Sequence, residues 1–183
     1  MRKLSIMSQV SLDGFYSGPG EGWETIDWHR VDDEWNAMSV TDLKATGTLL
    51  FGRKTYEGFA AFWPTMQGEI ADLINGIDKA VVSTTLKEPG WHNARLLNGN
   101  LRADIAALKA ESGGPIAVYG SGELVQSLTA LGLVDEYILA IVPVALGTGQ
   151  PLFEPKAARL NLELVSARVL KASGVIFATY RPA

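Results

Sequence analysis

The chain contains no cysteine, which excludes disulfides, thiolate nucleophiles and cysteine-ligated metal. Only two histidines, His29 and His92, are present, too few for a histidine-based metal site, and neither stands in a catalytic pattern. There is no basic excess. Sixteen Lys and Arg against 20 Asp and Glu leave a net charge of −4, with the cations scattered, so neither nucleic acid nor an anionic membrane surface is an expected partner. No apolar run reaches the roughly 18 residues that a membrane-spanning helix needs. Met1-Arg2-Lys3-Leu4-Ser5-Ile6-Met7-Ser8 lacks both the uninterrupted apolar core and the small-residue cleavage site of a secretory leader, so a cytoplasmic location is expected.

What is present is the composition of an ordinary globular protein. With 183 residues, 47% hydrophobic and 20% charged, residues 1–183 read as a single domain able to bury a full core. No internal repeat or linker interrupts it.

The stretch 113–153 is the most informative. Pro115-Ile116-Ala117-Val118-Tyr119 is a short β-favouring run that stops at Gly120-Ser121-Gly122. Leu124, Leu128 and Leu131 then fall at helical spacing, and Gly132 ends that helix. Glycines at a helix N-terminus leave unpaired N–H groups open to an anion, favoured there by the helix dipole. The third glycine of a dinucleotide fingerprint is missing, since Val125 stands in its place. A tight turn that needs glycine for its backbone angles alone remains an alternative to a phosphate seat.

A second strand–glycine–helix unit lies upstream. Thr48-Leu49-Leu50-Phe51 stops at Gly52, and Arg53-Lys54-Thr55 opens a helix running through Phe59 and Phe62 to Pro64. Two cations and a hydroxyl at a helix start suit a pyrophosphate or ribose phosphate. Ser83, Thr84 and Thr85 close a third strand over 78–83, either as phosphate-holding hydroxyls or as simple turn formers.

The remaining pattern predicts a first strand over 3–10, helices over 32–45, 68–77 and 101–111, a brief strand over 94–97 and a central strand over 134–142. Two alternating strands, 160–170 and 174–181, form an antiparallel hairpin. Early strand–helix alternation followed by antiparallel strands implies a mixed, mostly parallel sheet in a three-layer α/β/α domain, with ligands at the carboxyl ends of the parallel strands.

Residues 14–30 carry four glycines and Pro19 without any period and read as a long functional loop, in which Trp23 and Trp28 either stack on a flat ligand or pack at the domain edge. Asp32 and Asp33 open the following helix. They serve as a solvated cap or as a carboxylate that hydrogen-bonds a heterocycle in a cleft.

Leu50-Phe51-Gly52-Arg53-Lys54-Thr55-Tyr56-Glu57 resembles the strand-to-helix signature of the dihydrofolate reductase superfamily, and Val118-Tyr119-Gly120-Ser121-Gly122 resembles its second glycine turn. Ser11-Leu12-Asp13-Gly14, Leu133-Val134-Asp135-Glu136-Tyr137, Pro143, Gly147-Thr148-Gly149 and Leu152-Phe153 are closer to the reductase domain of the bifunctional riboflavin-biosynthesis deaminase-reductases. With no cysteine and a start directly on the first strand, a stand-alone member of that family is expected.

The resemblance implies a dihydrofolate reductase-like fold and NADPH as cofactor. It places Gly52, Arg53, Lys54 and Thr55 on the cofactor phosphates, Ser83 and Thr84 near the adenosine 2′-phosphate, and Gly120, Ser121, Gly122, Glu123 and Leu124 along the pyrophosphate. It also implies a substrate-facing carboxylate on the first helix, for which Asp32 is nearest by spacing and Asp33 competes, with Trp23 and Trp28 at the substrate. The expected function is an NADPH-dependent reductase of a pyrimidine- or pterin-like small molecule, resembling 5-amino-6-(5-phosphoribosylamino)uracil reductase. The alternative is a nucleotide-binding or regulatory module without turnover. The long apolar terminal strands, together with the dimers of the resembled family, imply a homodimer. A side chain at Gly122 is expected to collide with the pyrophosphate.

Overall fold

The computed structural model describes residues 1–155 and 157–183. Its strands are β1 (Leu4–Ser11), β2 (Phe15–Ser17), β3 (Thr48–Gly52), β4 (Asp78–Val82), β5 (Ala94–Leu97), β6 (Ile116–Tyr119), β7 (Glu136–Val142), β8 (Gln150–Pro151), β9 (Leu162–Val169) and β10 (Ile176–Pro182). Its α-helices are α1 (Asp33–Ala45), α2 (Arg53–Phe62), α3 (Glu69–Gly76), α4 (Leu101–Ala110) and α5 (Gly122–Ala130). Eight strands form one sheet in the order β5-β4-β3-β6-β1-β7-β10-β9. Pairing is parallel from β5 through β7, and antiparallel at β7–β10 and β10–β9.

β1 lies inside this sheet because it has an apolar layer on each face, and all eight of its residues are buried. Leu4 and Ile6 pack with Leu50, Ile116 and Val118 against Ile105 and Leu108 of α4 and Leu124 and Leu128 of α5. On the opposite face Leu49, Phe51, Val81 and Ala117 meet Leu43 of α1, Tyr56 of α2 and Ile74 of α3. The alternation of Leu49, Leu50 and Phe51 between the two layers follows from the period of two in a strand. This is the three-layer, mostly parallel α/β/α arrangement read from the sequence, with its antiparallel strands at the C-terminus.

Three boundaries differ from the sequence reading. Residues 14–30 contain β2, which pairs antiparallel with β8 as a separate ribbon, and a 3₁₀ turn at Gly22–Ile26. Strands of three and two residues are too short to show a period. β7 begins at Glu136, not Val134. The Asp135 carboxylate there accepts the Leu4 N–H at 2.7 Å and pairs with Lys109 at 2.5 Å, which fastens the entry to the strand before the ladder starts. The terminal hairpin is shorter than expected, and its turn reaches Ile176 through Gly174 at φ 73°.

Candidate active site

The two glycine turns end neighbouring parallel strands, β3 and β6, and are bonded to each other. Ser121 occupies the left-handed region at φ 57°, an uncommon conformation for a side-chain-bearing residue that costs about 1–3 kcal/mol. That geometry turns its hydroxyl across to the other turn. Ser121 Oγ accepts the Gly52 N–H at 3.0 Å and donates to the Tyr119 carbonyl at 3.1 Å, while the Ser121 N–H donates to Thr55 Oγ1 at 3.0 Å. Gly120 also has positive φ, and a Cβ there would stand 3.2 Å from the Thr55 methyl. Thr55 and Ser121 therefore lock the starts of α2 and α5 side by side, with the first-turn N–H groups of both helices at the carboxyl edge of the sheet.

The charged groups around this edge are held in exposed pairs. Lys54 Nζ lies 2.8 Å from Glu123 Oε1, joining α2 to α5, and Arg53 lies 3.0 Å from Glu57 on its own helix. Solvent-exposed pairs of this kind contribute about 0.2–1 kcal/mol, so both cations are available to a stronger anion. Leu124 is buried among Leu128, Val125 and Tyr16, a core residue whose backbone belongs to the first turn of α5. Ser83 Oγ accepts the N–H groups of Thr85 and Leu86 at 3.1 and 2.9 Å, capping its own turn, and Thr84 beside it is exposed.

A recess adjoins the turns through Tyr119, the last residue of β6. Met7 of β1, Trp35, Met38, Ser39 and Asp42 of α1, Tyr119 and Phe177 of β10 line it. Loss of hydration pushes the Asp42 carboxyl above the ordinary range, and no hydrogen bond offsets this. Burial first, and then the Asp42 charge, push the Tyr119 phenol upward as well. An indole, two thioethers, an acid and a phenol line one hollow of about 10 Å³, the space of a single water molecule.

The acids singled out in the sequence stand elsewhere. Asp32 is the N-cap of α1: its Oδ1 accepts the Trp35 N–H at 2.8 Å. That bond, and then the neighbouring Ser173 hydroxyl, hold its carboxyl below the usual range, although no hydrogen bond of ordinary geometry joins Asp32 Oδ2 to Ser173 Oγ. Asp33 is exposed, and Glu34 bonds Arg168 and the Lys171 N–H. The acidic start of α1 thus fastens the β9–β10 hairpin, and neither Asp32 nor Asp33 lines the recess. Asp42 was passed over in the sequence. Its signal was there, since it falls seven residues after Trp35 and four after Met38, an acid on the apolar face of a helix.

The two loop tryptophans separate. Trp28 is buried against Met7, Val142 and Phe177, and its Nε1 donates to the Thr25 carbonyl, so it packs in the core and is not free to stack on a ligand. Trp23 is 57% exposed, with its ring 5.4 Å from that of Phe62 at the end of α2. Gly122 also differs from expectation. A Cβ there would first meet the ring of Tyr16 from β2.

A mostly parallel sheet in this strand order, with two interlocked glycine turns at its carboxyl edge and a recess beneath the first helix, defines a dihydrofolate reductase-like α/β domain. The model of the RibD C-terminal domain family matches residues 2–176, and the chain belongs to that family, a reductase family of the riboflavin pathway. YyaP of Bacillus subtilis (strain 168) is 34% identical over 186 residues, covering 98% of this chain and 94% of YyaP. A candidate riboflavin biosynthesis protein from Shewanella sp. PV-4 is 23% identical with a TM-score of 0.75, covering 100% of this chain and 99% of that one. Dihydrofolate reductase from Enterococcus faecalis, complexed with NADP(H), is 14% identical with a TM-score of 0.65, covering 98% and 96% of the two chains. At these identities the two solved structures establish the fold.

Proposed function

We propose that this chain is an NADPH-dependent reductase of a small flat nitrogen heterocycle of the uracil or pterin type, close in chemistry to 5-amino-6-(5-phosphoribosylamino)uracil reductase. The observation that carries the reading is the bonded pair of glycine turns, Gly52 to Thr55 and Gly120 to Leu124, opening beside a recess that holds Asp42 and Tyr119. The residues fit the cofactor's phosphates. Two helix N-termini, Arg53, Lys54 and the Thr55–Ser121 lock converge there, and Lys54 offsets the opposing charge of Glu123. In this reading Thr84, beside the turn-capping Ser83, faces the 2′-phosphate and Arg53 adds its charge to the phosphates. When bound, NADPH supplies the hydride; the protein orients the two rings, excludes water and holds the polar edge of the substrate.

In this reading the substrate-facing carboxyl is Asp42, whereas Asp32 and Asp33 organise the start of α1. Trp23 rests on Phe62 at the end of α2, and Trp28 supports the loop from behind. Among the described residues no helix is long and apolar enough to cross a membrane, and a cytoplasmic site of action accompanies the choice of NADPH.

The test joins binding to turnover. Calorimetry is expected to give NADPH a dissociation constant at least tenfold below that of NADH, because one charge-assisted phosphate contact contributes about 1.5–3 kcal/mol. Loss of NADPH absorbance against a panel of pyrimidines, pterins and carbonyl compounds is then expected with a heterocycle. Equal constants for the two nucleotides overturn the phosphate assignment, and tight binding without oxidation across the panel favours a regulatory nucleotide-binding module.

A further inference from the structure

Gly122 opens α5, and a Cβ built on it would lie 1.9 Å from Cζ, 2.1 Å from Cε1 and 2.5 Å from the hydroxyl of Tyr16. The phenol ring therefore rests on the backbone of the glycine turn, in space that any other residue at position 122 would claim. The ring is held from two sides. Tyr16 belongs to β2, its hydroxyl donates to Gln150 Oε1 of β8, and β2 and β8 pair with each other. β8 is fastened in turn to α5, where Gln126 Nε2 donates to the Pro151 carbonyl at 2.8 Å. Burial, then the nearby Glu123 charge, push the phenol's pKa upward, so the ring stays neutral and offers no anion to the helix it covers.

This position conflicts with an occupied phosphate seat. The Ser121 N–H is already given to Thr55, so an anion at the start of α5 depends on the first-turn N–H groups that follow, from Gly122 onward. Gly122, the first of them, is buried, and the Tyr16 ring fills the space beside its Cα. A phosphate set against this end of the helix would need the ring to move.

We propose that Tyr16 is a gate that sets the affinity of the cofactor seat: the start of α5 is covered either by the Tyr16 ring or by a linked phosphate, and binding requires the β2–β8 ribbon to lift. The inference rests on the reading of the two glycine turns as the NADPH phosphate site. A single weak anion does not displace the ring, whereas a dinucleotide that also engages Arg53 and Lys54 does. Tyr16 thereby selects against mononucleotides and inorganic phosphate without touching the reacting atoms.

The experiment compares the full chain with Tyr16→Ala and Tyr16→Phe, using NADPH and inorganic pyrophosphate as probes. Calorimetry is expected to show NADPH binding tightened at least fivefold in Tyr16→Ala. Pyrophosphate, without measurable binding to the parent protein, is expected to bind the variant. Tyr16→Phe keeps the ring and loses the bond to Gln150, so its affinity for NADPH is expected between the other two. Stopped-flow association supplies a signature that a purely structural role would not give. The observed rate in the parent protein levels off with NADPH concentration, limited by lifting of the ribbon, and rises linearly in Tyr16→Ala. Should Tyr16→Ala fail to fold, an unchanged affinity and rate profile in Tyr16→Phe overturns the gate. If the parent protein binds NADPH and Tyr16→Ala binds it equally or more weakly, the seat stands and the gate falls. If neither binds NADPH, the phosphate-site reading falls and takes the gate with it.

Discussion

Asp42 is a half-buried carboxyl with no hydrogen bond to offset its lost hydration. Arg2, for comparison, bonds both the Gly114 carbonyl and Thr48 Oγ1 at 2.6 Å. A group left this way lowers stability and is retained where it serves a ligand. Asp42→Asn is expected to reduce kcat/KM about 10- to 100-fold, the loss of one charge-assisted bond, while leaving the NADPH dissociation constant and the melting temperature unchanged or the latter raised. Parallel losses in cofactor affinity and turnover would show instead that the substitution damages the fold.

His29 makes a second prediction. Burial lowers its pKa from 6.5 to about 4, the Tyr16 carbonyl pulls slightly the other way, and its Nε2 is buried without a partner. The native state therefore holds the neutral imidazole. Above pH 6.5 both folded and unfolded chains are neutral there and stability is full. Between 6.5 and 4 the unfolded chain takes a proton that the native chain refuses, and up to about 3 kcal/mol is lost as the pH falls. Urea midpoints at pH 7 and pH 4.5 are expected to converge in His29→Phe, which keeps an aromatic ring edge-on to Trp28. Equal pH sensitivity in parent and variant would remove His29 as the cause.

Among the elements, β9 is the exception. It ends the sheet, each of its residues after Leu162 is exposed, and Leu164, Val165 and Val169 are 59, 52 and 57% exposed. Sheet edges of this length are usually blunted by charge or proline. The Arg181–Glu163 pair at 2.7 Å stands at one end and the Arg168–Glu34 pair at 3.3 Å near the other, which leaves Leu164 and Val165 between them without a charge. We infer a symmetric homodimer that buries this strand, and light scattering at micromolar concentration is expected to give about twice 19.7 kDa. Val165→Lys is expected to return the protein to monomer mass without loss of NADPH binding. A monomeric parent would leave the edge exposed as built.

At the scale of the whole molecule, the sequence determined whatever depends on neighbours in the chain. The apolar runs at 48–51 and 115–119, each stopped by glycine before a helical period, were enough for the layered α/β architecture and for both turns, because a strand's stop and a helix's start are local events. The acids at 32–34 read correctly as a helix start for the same reason. What only the tertiary structure decided depends on residues far apart in sequence. The lock between Thr55 and Ser121 spans 66 positions, and the Tyr16–Gln150 bond spans 134. No periodicity records which tryptophan is enclosed and which faces solvent. Asp42 enters the recess because β1, β6 and β10 bring Met7, Tyr119 and Phe177 to the same face of α1. The sequence marked the two glycine turns and the helix starts behind them. Packing decided which acid faces the recess and which ring lies beside Gly122, since both follow from the sheet order, which no local pattern in the chain encodes.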